Sequence, residues 1–194
     1  PVIVAATTEN VEVETPEVQT TEVEPEIEAT PEIIENTPEF VPAIRKNAVS
    51  FTPTDSELPL FSIVLIDNVN SGIGPSALSS FGAPLTVAID PSDPGAQERM
   101  ELFQTAGYEI ALLTGIPTST APQDMNETFQ SYFSAVPNAV AIVDPNINAG
   151  RVRNDVLSRV VDVLSQSGHG LVATEQDQNV AIDLAQQMEV PAGI

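Results

Sequence analysis

From residue 60 onward, short apolar runs alternate five times with stretches of helical periodicity. No other feature constrains the fold as strongly. The runs are Leu60–Ile66, Leu85–Ile89, Glu109–Leu113, Ala139–Val143 and Leu171–Ala173. Between and after them, helices are expected over Ser76–Phe81, from Asp93-Pro94 to about Ala106, over Gln123–Ala135, Arg151–Ser167 and Asp177–Met188. Asp93 has the chemistry of an N-cap and Pro94 that of a first helical residue. Val152, Val156, Val160, Val163 and Leu164 share one face of the fourth helix, and Gly168 closes it. Strict β-α alternation predicts an α/β fold with a parallel sheet and right-handed crossovers. Strand order is not legible at this level. An incomplete (β/α) barrel and an open sheet both fit.

The first run, LFSIVLIDN (Leu60–Asn68), has the Ile/Val/Leu/Phe continuity of a strand covered on both faces. It ends in Asp67 and Asn68. An acid just past such a strand lies at the sheet's C-terminal edge, where α/β folds place their chemistry. Asp67 is therefore the first functional candidate. Asp90 in IDPSDPG, Asp144 and Asn146 in VDPNINAG, and Glu175 after the fifth run should lie on the same rim.

The N-terminal part has another character. Residues 1–40 hold eleven Glu, no Asp and no basic residue, and prolines at 16, 25, 31 and 38 oppose both helix and ladder. The expected organisation is a disordered, semi-stiff acidic spacer over 1–57, with an edge strand formed by VEVETPEV as the alternative, and a folded domain over 58–194. Arg45 and Lys46 interrupt the acid run and should touch the domain or mark its entrance. A net charge of −22 argues against nucleic acid or an anionic membrane surface as partner. Without cysteine there is no disulfide, thiolate metal site or cysteine nucleophile. With one His, a multi-histidine Zn²⁺ site is excluded within this chain. No apolar run reaches 18 residues. The start at Pro1 reads as a piece of a longer precursor.

Several stretches together resemble one family. LFSIVLIDN, the loop to Ser76, PLTVAIDPSDPGAQERMELFQTAGYEIALL, LSQSGHGLVA, EVPAGI and the upstream KNAVSF are similar to the divergent polysaccharide deacetylases. These are relatives of the carbohydrate esterases with a NodB-like barrel. The likeness is to the alphaproteobacterial branch, with its membrane anchor and acidic, Pro-rich linker, and covers about residues 44–194. It implies a distorted (β/α) barrel, here incomplete and truncated after Ile194. It also implies a periplasm-facing location, with membrane attachment only through an anchor this chain lacks.

The departures bear on function. The family's two adjacent Asp after strand one are Asp67-Asn68 here. Its His after strand three corresponds to Leu113-Thr114. Its Asn and His after strand four correspond to Asp144 and Asn146 without a His, and its Asp-Ser after strand five to Glu175-Gln176. Acids and amides remain and every imidazole is gone.

Asp67 can then be a general base for water, or it can cap the following turn. Asp90 before Pro91 and Asp144 before Pro145 have the pattern of Asx-turns. Alternatively, Asp67, Asp90, Asp144 and Glu175 form an acidic rim able to hold Ca²⁺ or Mg²⁺ or to contact sugar hydroxyls. Asn68 and Asn146 would add amides to it. His169 in SGHGLV lies at the opposite edge, where a cationic ring would suit a helix C-terminus. The expectation is a cell-envelope protein with a degenerate site and no required cofactor, although a divalent cation fits the rim. It would bind polysaccharide or peptidoglycan, or dock an envelope protein. The alternative is an active, metal-dependent polysaccharide N-deacetylase.

Overall fold

Six strands pair in parallel and in chain order, so every β-α step moves one place in the same direction. The computed structural model describes residues 40–53, 57, 59–68, 70, 74–117, 119–147 and 152–194. A one-turn helix α1 (Ala43–Lys46) comes first, then β1 (Val64–Ile66) and α2 (Pro75–Leu78). The pairs β2 (Thr86–Ile89) with α3 (Ala96–Thr105) and β3 (Glu109–Leu113) with α4 (Met125–Ala135) follow. A 3-10 turn at Pro122–Asp124 leads into α4. The chain closes with β4 (Ala141–Asp144), α5 (Asn154–Ser167), β5 (Gly170–Ala173), α6 (Val180–Gln187) and β6 (Ala192–Gly193).

Sequential order excludes a doubly wound sheet, whose strand order reverses at a switch point. It gives a curled half-barrel with flanking helices, as the incomplete-barrel reading expected. The alternation of strand side chains divides two cores. Val87, Ile89, Ile110, Leu112, Ile142 and Leu171 face the helices and meet Met100, Phe103, Phe129, Val160 and Leu164. Ala88, Ala111 and Val143 occupy the other, concave face, with Val64, Leu113 and Val172 packed beside them. Small residues predominate there because a curling sheet crowds its inner face.

Two local expectations need correction, and one strand is added. The first run is not a strand covered on both faces. Only Val64–Ile66 pair, and β1 forms the sheet's edge. Leu60 and Phe61 are 66% and 84% exposed. Apolar continuity suggests burial, but among the described residues this run lies against a strand on one side only. Asp93 does not cap α3. Asp93 and Pro94 lie in the preceding turn, with Ala96 N–H donating to the Asp93 carbonyl at 3.0 Å, and Gly95 takes the cap position. β6 has two residues, too few to leave a periodic signal.

The spacer reading also changes for residues 40–53, while residues 1–39 lie outside the described residues. Segment 42–49 runs as a strap beneath the N-terminal ends of β5, β4 and β3. Ile44 N–H donates to the Gly168 carbonyl at 2.9 Å, and Asn47 Nδ2 to the Ala139 carbonyl at 2.9 Å. Val49 N–H donates to Glu109 Oε2 at 3.2 Å. A Cβ on Gly168 would stand 2.4 Å from Pro42 Cα, and one on Gly170 2.9 Å from Ile44 Cδ1. The glycines on either side of His169 thus leave room for the strap. Gly168 also ends α5 with a φ of 71°, a left-handed cap that favours glycine.

Candidate functional site at the C-terminal strand ends

The rim expected to carry chemistry does not gather its carboxylates. Asp67 follows β1 on the face that Leu65 shares, toward the helices. There Arg99 of α3 closes on it, with Nε and Nη2 donating to its two oxygens. The Asp67 side chain is 5% exposed. The Arg99 guanidinium also lies 5.5 Å from the centre of the Phe103 ring. Its pKa is raised, first by the hydrogen bonds to Asp67, against the opposing effect of burial. A carboxylate held by a bidentate guanidinium is poorly placed to take a proton from water.

Asp144, at the end of β4, is also turned inward and is 1% exposed. It accepts from Ile116 N–H at 3.1 Å, Asn146 N–H at 2.9 Å and Thr114 Oγ1 at 3.4 Å. It fastens the loops after β3 and β4 to each other. Asp90 forms the Asx-turn its sequence suggested, accepting from Ser92 N–H at 2.8 Å and Ser92 Oγ at 2.6 Å. Asn68 accepts from Asn70 N–H at 2.9 Å and shapes its own turn. Glu175 is exposed beyond β5.

Two of the named residues do meet. Asp90 and Asn146 line a groove of about 400 Å³ over the ends of β1–β4. Ile66, Ser92, Thr114 and Tyr132 form further walls. Asp67, Asp144 and Glu175 are not among its walls. Among the described residues, the groove offers one carboxylate already engaged in a turn, one amide, two hydroxyls and a phenol. A divalent cation would want several oxygens with more charge, and Zn²⁺ would want nitrogen or sulfur. Among the described residues no group of three His, Asp or Glu converges. The donor set does not fit a hydrolytic metal centre.

Arg99, Ser92 and Tyr132 were missed by reading the sequence. Arg99 had one signal, since it is one of only six basic residues in a strongly acidic chain. Tyr132 had none, because a half-buried aromatic on a helix reads as core. His169 is buried at 6% exposure and stacked on Phe133, with ring centres 4.0 Å apart. Burial lowers its pKa to about 4, so the ring is neutral at pH 7 and is not the dipole-paired cation expected. Ser167 Oγ donates to the Val163 carbonyl at 2.8 Å. Its oxygen is therefore left to accept from His169 Nδ1–H at 2.9 Å.

No protein-family model and no curated protein matches the chain. Among solved structures, the chain is similar to the uncharacterized protein ATU2773 from Agrobacterium tumefaciens. The TM-score is 0.61 at 13% identity, over 79% of this chain and 68% of that one. The likeness extends to the fold alone.

Proposed function

We propose that this domain is a non-catalytic glycan-binding half-barrel of the divergent polysaccharide deacetylase type, held in the cell envelope on the periplasmic side. The observation that carries the reading is the Arg99 clamp on Asp67. The acid that matches the family's first motif has both oxygens occupied and faces the helices. The groove beside it retains a carboxylate, an amide, hydroxyls and the Tyr132 ring. That mixture suits a polyhydroxylated ligand, in which hydroxyls take hydrogen bonds and an apolar sugar face meets an aromatic wall. Hydrolysis of an N-acetyl group needs an activated water and a proton donor for the leaving amine. The groove walls supply neither an imidazole nor a set of charged metal ligands.

Titration of the ¹⁵N-labelled protein with chitotetraose tests the reading. Amide shifts should appear at Asp90, Ser92 and Asn146, with no acetate released at any added Zn²⁺, Co²⁺ or Mg²⁺. No shift at millimolar sugar, with peptidoglycan fragments also inert, rejects glycan binding. Metal-dependent acetate release that Asp67→Asn abolishes would establish the enzyme instead.

A further inference from the structure

A second and larger cavity, of about 560 Å³, opens at the other end of the half-barrel. Its inner wall is the concave face at the N-terminal ends of β2 and β3, where Thr86 Oγ1 donates to Glu109 Oε1 at 2.9 Å. The end of the strap supplies Val49, Phe51 follows it, and residues 59–63, leading into β1, form the outer lip. The lip belongs to an edge. β1 pairs with β2 on one side, and among the described residues its other side keeps a strand's spacing of N–H and C=O groups with no neighbouring strand. Around it Phe61 is 84% exposed, Leu60 66% and Phe51 56%. An aromatic side chain presents about 150–250 Å², so the two rings with Leu60 beside them leave an apolar patch on the order of 400 Å². Patches of that size on a monomer are commonly interaction sites.

We propose that the β1 edge and this cavity together receive an extended strand from a partner protein. One occupant accounts for both features. Main-chain pairing along residues 60–66 would satisfy the open edge, and every second side chain would enter the cavity. The patch falls short of the roughly 800 Å² per partner of a stable protein dimer, which argues against a second copy. Charge sets the strand's chemistry. From residue 40 on, the chain has seventeen acidic and six basic residues, and among the described residues the one charged side chain lining the cavity is Glu109. The strand should alternate apolar and basic residues, because acidic positions would be repelled.

The probe is a capped, fluorescein-labelled heptapeptide alternating Lys and Val, with fluorescence anisotropy read on the full chain. The control is the same peptide with alternate backbone amides N-methylated, which cannot pair. Measurements in 0.5 M NaCl screen loose attraction to an acidic surface. The unmodified peptide should bind at least tenfold more tightly than the control. Phe61→Ser and Phe51→Ala should each weaken it at least fivefold, with circular dichroism unchanged. Hydrogen exchange at residues 61–66 should slow when the peptide is present. Equal binding of the two peptides, or none, overturns the proposal. So does light scattering that shows a dimer which Phe61→Ser dissolves, since a second copy would then be the occupant.

Discussion

Arg99 on α3 donates through two nitrogens to both oxygens of Asp67 at the end of β1, tying the edge strand to the helical layer. The pair is largely withdrawn from water, with side-chain exposures of 21% and 5%. Breaking one partner of such a pair costs more than removing both, because it strands a buried charge. Arg99→Ala should destabilise the domain by roughly 2–3 kcal/mol in urea melts. The double variant Asp67→Leu/Arg99→Met should recover most of that loss. Equal losses in the single and double variants would mean that the ion pair is not the source.

His169 gives the stability a pH dependence with a definite sign. Its folded pKa is lowered to about 4 by burial, against 6.5 for the free side chain. The unfolded chain therefore binds a proton that the folded one refuses. The contribution is fully present above pH 6.5 and is lost as the pH falls toward 4. It amounts to about 3 kcal/mol over that window. His169→Phe should flatten the change in unfolding free energy between pH 7 and 4.5. An unaltered slope would place the titration elsewhere.

Core and edge positions should separate in their sensitivity. Leu112 is 0% exposed between sheet and helices, and Leu112→Ala should cost about 3 kcal/mol through lost transfer energy and a residual cavity. Val64 on the edge strand is half-buried, and Val64→Ala should cost about 1 kcal/mol or less. Chemical denaturation of the two variants side by side reads the difference. Equal costs would contradict the edge position of β1.

The strap should define where the stable domain begins. Digestion with endoproteinase Glu-C should leave a resistant core starting near residue 40, identified by mass spectrometry. A core starting near 58 would show that the strap is not held. Gly168→Ala places a Cβ against Pro42 and forces a left-handed φ on alanine. It should cost about 2 kcal/mol and expose Arg45 and Lys46 to trypsin.

Groove residues should separate by their place. Tyr132→Ala and Asn146→Ala should each weaken chitooligosaccharide binding about tenfold in calorimetry, in line with loss of one hydrogen bond or ring contact. Glu175→Ala, outside the groove, should leave it unchanged. A loss with Glu175→Ala alone would move the ligand to the β5 end.

The sequence alone settled what local periodicity can settle. Alternating apolar and amphipathic segments required parallel β-α units. The apolar runs at Leu85–Ile89, Glu109–Leu113 and Ala139–Val143 marked the buried strands, whereas Val64 and Leu65 in the first run are only half-buried. Asp90 before a proline announced its own turn, because an Asx-turn is made within three residues. Tertiary structure decided everything that depends on distant partners. LFSIVLIDN reads as a central strand, yet it forms an edge, because burial depends on neighbours the run does not encode. Asp67 looked like a base until α3 brought Arg99 to it from 32 residues away. The strap, with two basic residues and no acid over 42–49, was not legible as such because its anchors, Gly168, Ala139 and Glu109, lie far along the chain. Where the curled sheet brings such segments together, side chains acquire roles that spacing along the chain does not carry.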